Sequence, residues 1–266
     1  MVSVNVLIRK LIDKTFGLNE IKAKLRDIEN RIEGNVTNSQ GHWKIRTFWD
    51  FKILLDSRSM VDSTMLKQGD WEQDSWTALV ENINRFPSKE MIFLDVGSYF
   101  GLYSLKAYRT NCFSRIVAFE ADKVNASQLR SNLLLNDLIS EIELNEIYLS
   151  DEAGQKSFAS SLNWSSNRGM SGTQDENAPI REIKETKTLD QVITVKNLFV
   201  VLKLDVEGNE LSVLHGAKKL FMDNRVLILI ENIHHTAEQR KLLTSLGFHL
   251  ILEIPKDSNS IWKNFD

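Results

Sequence analysis

The stretch Phe93-Leu94-Asp95-Val96-Gly97-Ser98-Tyr99-Phe100-Gly101 most constrains how this chain can fold. A short apolar strand ends in Asp95, and two glycines then turn the chain into a helix. Glycine lets the backbone turn without a Cβ clash and lets a ligand lie against the main chain. The helix that follows offers free N–H groups and a positive dipole end, suited to an anionic group. A second apolar run, Ile116-Val117-Ala118-Phe119, closes on Glu120 one βαβ unit later. Nucleotide-binding α/β folds place there the acid that holds ribose hydroxyls. The pattern points to an adenosine-containing cofactor.

What is missing narrows the cofactor. The dinucleotide fingerprint G-x-G-x-x-G and the phosphate loop G-x-x-x-x-G-K-[ST] are both absent. Instead Asp95 stands two residues before Gly97, and an acid at a strand end suits a cationic group better than a phosphate. S-adenosylmethionine carries an ammonium and a sulfonium beside its adenosine. The plainer reading is a D-x-G turn in some other α/β protein, and the placement of Glu120 weighs against it.

Beyond Pro87 strands and helices alternate. Strands are expected over Met91–Gly97, Arg115–Ala121, Ile142–Leu149, Phe199–Asp205 and Val226–Asn232. Helices are expected over Leu102–Tyr108, Lys123–Asp137, Glu210–Met222 and Thr236–Leu246. Asp122 is placed to cap the second helix, and Thr236 with Gln239 suggests a capping box. His249–Pro255 and Ile261–Phe265 read as a closing hairpin, and Ser160–Thr186 as a long polar loop. Phe199–Asp205 is almost wholly apolar, as a strand buried on both faces must be. Such alternation implies a doubly wound, mostly parallel sheet, whose ligands bind at the carboxyl ends of its strands. Asp95, Glu120, Asp205 and Glu231 all fall at expected strand ends, and therefore at one site.

Two segments precede this domain, which spans 88–266. Over 1–40, Val4, Leu11, Leu18, Leu25 and Ile32 at a, with Leu7, Ile21 and Ile28 at d, mark heptads that only Lys14 breaks at d. Gly17 weakens a continuous helix. A coiled coil that makes a homo-oligomer is the first reading; a helix packed on its own domain and a basic amphipathic membrane anchor are the others. Residues 41–87 are rich in tryptophan and read as short helices forming a cap on the cofactor domain.

The 266 residues, 42% hydrophobic, suffice for a substantial core. A net charge of −3 gives no nucleic-acid footprint. The single cysteine, Cys112, rules out an internal disulfide and a cysteine metal cluster. No apolar run approaches the roughly 20 residues of a membrane span. The first residues lack the features of a signal peptide, so a cytoplasmic setting is expected.

From Gly69 onward the chain resembles the FkbM family of S-adenosylmethionine-dependent methyltransferases. The resemblance rests on Asp95-Val96-Gly97-x-x-x-Gly101, Ala118-Phe119-Glu120-Ala121, Leu149-Ser150-Asp151-Glu152-x-Gly154 and Thr188-Leu189-Asp190. Most specific is Lys203-x-Asp205-x-Glu207-Gly208-Asn209-Glu210. It implies a class I methyltransferase fold, Rossmann-like with a seven-stranded sheet, and methyl transfer to a hydroxyl oxygen of a sugar, polyketide or similar small molecule. Asp95, Gly97 and Gly101, with Ser98 and Tyr99 between, would flank the methionine end. Glu120 and Ala121 would bind the ribose, and the Tyr148–Asp151 stretch, with Leu149, Ser150 and Asp151, would lie near the adenine. Glu72, in Gly69-Asp70-Trp71-Glu72, matches an element before the first strand, and Asp205 would also face the cofactor. Tyr99-Phe100 departs from the smaller or polar residues usual there.

Methyl transfer needs alignment, worth up to roughly 7–11 kcal/mol, and removal of the hydroxyl proton. Asp205, Glu207 and His234 are the candidate catalytic residues, with Glu231 and His235 nearby. Asp205 with Glu231 and Asn232 is similar to the set by which catechol-type O-methyltransferases hold magnesium, so Mg²⁺ is a candidate cofactor. The opposing reading has Asp205, Glu207 and Glu210 capping the next helix. In the loop, Asn163, Trp164, Asn167 and Arg168 are suited to stack on and hydrogen-bond a sugar, and an ordinary surface loop is the equal alternative. The acceptor expected is a saccharide or glycoconjugate, as in surface-polysaccharide synthesis. A secondary-metabolite hydroxyl is the alternative, and a non-catalytic S-adenosylmethionine-binding partner protein is the rival of another class.

Overall fold

The computed structural model describes residues 41–86, 88, 90–160 and 181–266. The N-terminal heptads, Pro87 and the loop residues Asn163, Trp164, Asn167 and Arg168, expected to meet a sugar, lie outside the described residues. A hairpin, β1 (Trp43–Phe48) and β2 (Phe51–Asp56), leads into α1 (Met60–Gln68) and α2 (Gln73–Arg85). Then β3 (Met91–Val96), α3 (Leu102–Thr110), β4 (Arg115–Phe119), α4 (Lys123–Leu135) and β5 (Ile142–Asn145) alternate. A small sheet intervenes, made of β6 (Tyr148–Leu149), β7 (Gly154–Ala159) and β8 (Arg181–Lys187). After α5 (Leu189–Val192) come β9 (Phe199–Leu204), α6 (Glu210–His215), α7 (Lys218–Asp223) and β10 (Arg225–Glu231). The chain closes with α8 (Thr236–Ser245), β11 (His249–Ile254) and β12 (Asn259–Lys263).

The main sheet has the order β11-β12-β10-β9-β3-β4-β5. Its core, β5 to β10, is parallel, and β12 runs antiparallel to both of its neighbours. The architecture is α/β and doubly wound. Strand side chains alternate between two cores: Phe93 and Val201 join one face with Leu79, Leu105 and Leu129, while Leu94 and Leu202 join the other with Val213 and Leu243. β9 is buried along its whole length. The strand order reverses between β3 and β9, which opens a crevice at their carboxyl ends.

The expected all-helical segment 41–87 is corrected at its start, which forms the β1–β2 hairpin. Its two turn residues, Trp49 and Asp50, both have positive φ (51° and 77°), the geometry of the tight hairpin turn. Without an Asn-Gly or Asp-Gly pair, that turn was hidden among aromatic residues. The hairpin docks on α4 through a row of amides. Lys52 and Leu54 N–H donate to the Asn136 and Asn132 Oδ1 atoms at 2.8 and 2.7 Å. Gln128 Nε2 donates to the Leu54 carbonyl at 2.8 Å. Ile53, Leu55 and Met65 share one core with β3.

Three further boundaries and one cap differ. The expected strand Ile142–Leu149 divides, because β5 pairs with β4 while β6 turns to pair with β8. Residues 181–186 of the expected loop belong to strand β8, antiparallel to β7. The expected helix Glu210–Met222 breaks at Gly216, where the chain passes so close to the Ser150 carbonyl that no Cβ fits. The Thr236–Gln239 capping box does not form: Thr236 Oγ1 donates to the Asn232 carbonyl at 2.7 Å, and Gln239 turns inward to Glu210. Asp122 does cap α4, accepting from Val124 and Asn125 N–H. No helix among the described residues is long and apolar enough to cross a membrane.

Candidate active site

The crevice at the strand reversal is a cavity of about 360 Å³. The loops after β3, β4, β9 and β10 form much of it, with Trp71 and Glu72 between α1 and α2 and Tyr148 and Phe158 of the small sheet. The loop after β3 turns on Gly97 (φ 77°) and Gly101 (φ 91°). At Gly97 the neighbouring chain is so near that a Cβ would overlap the Asp205 carbonyl. At Gly101 it would overlap Leu129. Tyr99, between them, also holds a positive φ of 51°, and its hydroxyl hydrogen-bonds Ser59 Oγ at 2.7 Å.

Glu120 braces this loop. Its Oε2 accepts from Tyr99 N–H at 2.8 Å and its Oε1 from Asp122 N–H at 2.8 Å. Burial pushes its carboxyl up to about 8, against the pull of those two N–H groups and of Lys203. Gly97, Ser98, Tyr99, Ala121 and Leu149 line the cavity with it. Glu72 lines it too, and its Oε2 accepts from the Tyr103 hydroxyl at 2.8 Å. Burial and the Asp205 charge raise the Glu72 carboxyl to about 7.

Other sequence-based candidates stand behind the wall. Asp95 is fully buried and does not line the cavity; its Oδ2 accepts from Ser104 N–H (2.9 Å) and Ser104 Oγ (2.6 Å). It therefore ties β3 to α3 and supports the loop from beneath. Gly101 likewise shapes the loop from outside the lining. Ser150 and Asp151 lie apart, both bonded to Lys156. Tyr148 and Leu149, from the stretch expected near the adenine, line the cavity, as does Phe158, which sequence reasoning passed over; the Tyr148 and Phe158 rings meet edge to face at 5.2 Å.

At the opposite end Asp205, Glu207, Glu231 and His234 line the cavity. Glu207 holds a positive φ of 52° ahead of Gly208, which turns the chain into α6. Burial, then the charges of Asp205 and Glu210, raise the Glu207 carboxyl to about 8. Burial, then Asp205, Glu207 and Glu210, raise Glu231 to about 10. Asn232 does not line the cavity, and its Oδ1 accepts from Ser260 Oγ at 3.0 Å. Between the two ends sits Lys203, whose Nζ donates to the Gly97 carbonyl at 2.6 Å and meets Asp205 Oδ2 at 3.2 Å. Burial opposes its charge, but Asp205, Asp95 and Glu72 outweigh that and hold the ammonium above its ordinary value. A lysine inside the otherwise apolar run Phe199–Leu204 is the signal that marks it.

The chain matches the model of the methyltransferase FkbM domain over residues 95–255, more than half its length. No curated protein matches it. Among solved structures it is similar to the ribosomal protein L11 methylase from Lactobacillus delbrueckii subsp. bulgaricus, at 12% identity and a TM-score of 0.41, covering 73% of this chain and 79% of that one. The precorrin-6y C5,15-methyltransferase from Geobacter metallireducens GS-15 is 11% identical with a TM-score of 0.42, covering 73% and 88%. M. capricolum TrmK, solved with S-adenosyl-homocysteine, is 11% identical with a TM-score of 0.37, covering 69% and 65%.

Proposed function

The chain belongs to the FkbM methyltransferase family, and from that premise we propose that it transfers the methyl group of S-adenosylmethionine to a hydroxyl oxygen of a saccharide or glycoconjugate. The observation that carries the cofactor part is Glu120. It sits at the end of β4, buried and facing the cavity, next to a glycine loop that leaves no room for a Cβ. Ribose hydroxyls would donate to its carboxylate, while the Gly97–Gly101 loop follows the methionine end. Tyr148, Leu149 and Phe158 offer apolar surface for the adenine. Asp205, Glu207 and His234 face the acceptor end, where the hydroxyl proton must leave as the methyl group arrives.

Calorimetry with S-adenosylhomocysteine tests this reading. Glu120→Ala removes charge-assisted hydrogen bonds worth about 1.5–3 kcal/mol each, so a loss of affinity of roughly 10²-fold is expected. Equal binding by the variant and the original protein would remove Glu120 from the site.

The raised carboxyl of Glu120 also makes binding depend on pH. The folded protein holds this proton up to about pH 8, far above the ordinary value near 4.5, so this group lowers the stability of the ligand-free protein as pH rises between those values. A ribose that donates to the carboxylate selects its ionised form. Adenosine, which has no titrating group near neutrality, is therefore expected to bind more tightly as pH rises toward 8, by up to about tenfold per unit. Glu120→Gln should flatten that slope; a slope that survives would assign it to another group.

A further inference from the structure

Three carboxylates cluster near the end of the cavity assigned to the acceptor. Asp205, Glu210 and Glu231 each offer an oxygen, and these oxygens lie within 4.8 Å of one another. Acidic side chains often crowd at surfaces without consequence, but this group is enclosed: Glu210 is 1% exposed and Glu231 9%. Glu231 lines the cavity, and its Oε2 is shut off from solvent with no hydrogen-bond partner among the described residues. A buried carboxylate oxygen without a donor is strongly unfavourable. Beside the cluster Gln239, 1% exposed, has an Oε1 in the same condition, with its Nε2 3.4 Å from Glu210 Oε2.

The donor set is oxygen alone, which suits a hard divalent cation rather than a softer metal. Oxygens bound about 2.0–2.6 Å from one such ion are at most about 4–5 Å apart, and the cluster meets that limit. Glu210 is oriented in advance, its Oε1 accepting from Val206 N–H at 2.9 Å and Gly208 N–H at 3.1 Å. Supports of this kind behind a ligand raise metal affinity. Lys203 does not fill the place, because its ammonium is drawn to the Gly97 carbonyl and one Asp205 oxygen.

We infer that Asp205, Glu210 and Glu231 form a binding site for a hard divalent cation at the acceptor end of the cavity. Glu210 takes the position that Asn232 holds in the sequence-based set, since the Asn232 oxygen is engaged by Ser260. The role of the ion rests on the methyltransferase reading: an acceptor hydroxyl that ligates it is held in place and gives up its proton more readily. Binding of the ion does not depend on that reading.

The test is Mn²⁺ binding to the full chain after chelator treatment, followed by the loss of the free-ion electron spin resonance signal. S-adenosylhomocysteine binding and thermal unfolding are measured on the same samples. A single Mn²⁺ per chain is expected, displaced by excess Mg²⁺, with affinity reduced roughly 10–100-fold in Glu231→Gln and Glu210→Gln and unchanged in Asn232→Ala. A folded original protein that leaves Mn²⁺ free at millimolar concentration overturns the site. So does Glu231→Gln binding Mn²⁺ as tightly as the original. Absence of S-adenosylhomocysteine binding beside normal Mn²⁺ binding would count against the methyltransferase reading and leave the cation site standing.

Discussion

Gly97→Ala is expected to lower stability by about 3 kcal/mol or more, the sum of left-handed strain and a clash with no flexible side chain to absorb it. The atom in the way is the backbone oxygen of Asp205. It belongs to the loop after β9, while Gly97 belongs to the loop after β3. The two loops are pressed together because the strand order reverses there. To admit a methyl group, β3 and β9 would have to part at their carboxyl ends, where Asp205 N–H donates to the Val96 carbonyl at 3.1 Å. Gly247 supplies the comparison: its φ is 84°, yet nothing lies within 4 Å of a Cβ built there. Gly247→Ala should therefore cost only the strain, about 1–2 kcal/mol. Urea unfolding of both variants measures the difference. Equal costs would mean that the loops yield easily and that the crevice is softer than its packing implies.

Lys203→Met is the second large effect. The ammonium is the cation around which Asp95, Asp205 and Glu72 are arranged, and Asp95 is fully buried. Removing one partner of a buried ionic group typically costs about 3–5 kcal/mol, because the opposite charges stay behind unpaired. The cost has a definite pH dependence. Without Lys203 the fully buried Asp95, already raised by burial and held down in part by that ammonium, keeps its proton to higher pH in the folded state than in the unfolded state, so stability falls as pH rises past the ordinary carboxylate range. The variant should thus be closest to the original near pH 5 and furthest from it near pH 8, by chemical denaturation at each pH. A deficit that does not change with pH would mean that lost packing, rather than lost charge, is what the methionine reports.

The parallel core was legible because its signals are local and strong. The run Met91–Val96 and the glycines after it, like Ile116–Glu120, carry period, turn and terminal acid within a few residues. Carboxylates at strand ends had to converge once the strands were parallel, and Glu120, Asp205 and Glu231 do. Asp95 shows the limit of that logic: being at a strand end does not say which way a side chain points, and this one bonds Ser104 behind the wall. The place of Glu210 beside Asp205 and Glu231 escaped sequence reading for a related reason. A short helix start can aim a glutamate back at the strand it came from, and only the turn at Glu207 and Gly208 reveals it. The β1–β2 hairpin was missed because its turn uses Trp49 and Asp50, whose positive φ is sustained by packing and not by propensity. Lys106, whose ammonium lies over the Trp49 and Trp76 rings and bonds Asp70, accounts for part of that aromatic density as structure.

The amides of α4 have a consequence outside the site. Along the side of β2 that faces away from β1, the N–H groups of Lys52, Leu54 and Asp56 are all taken by side chains: Asn136, Asn132 and Asp62. A strand edge with its donors and acceptors free is a template on which another chain can add a strand and begin to aggregate. Here α4, with amides at four-residue spacing, and Asp62 of α1 play the part of the missing strand, so the hairpin is closed to strangers on that side. Replacing those amides would be felt less in the chemistry of the protein than in how long it stays in solution at high concentration.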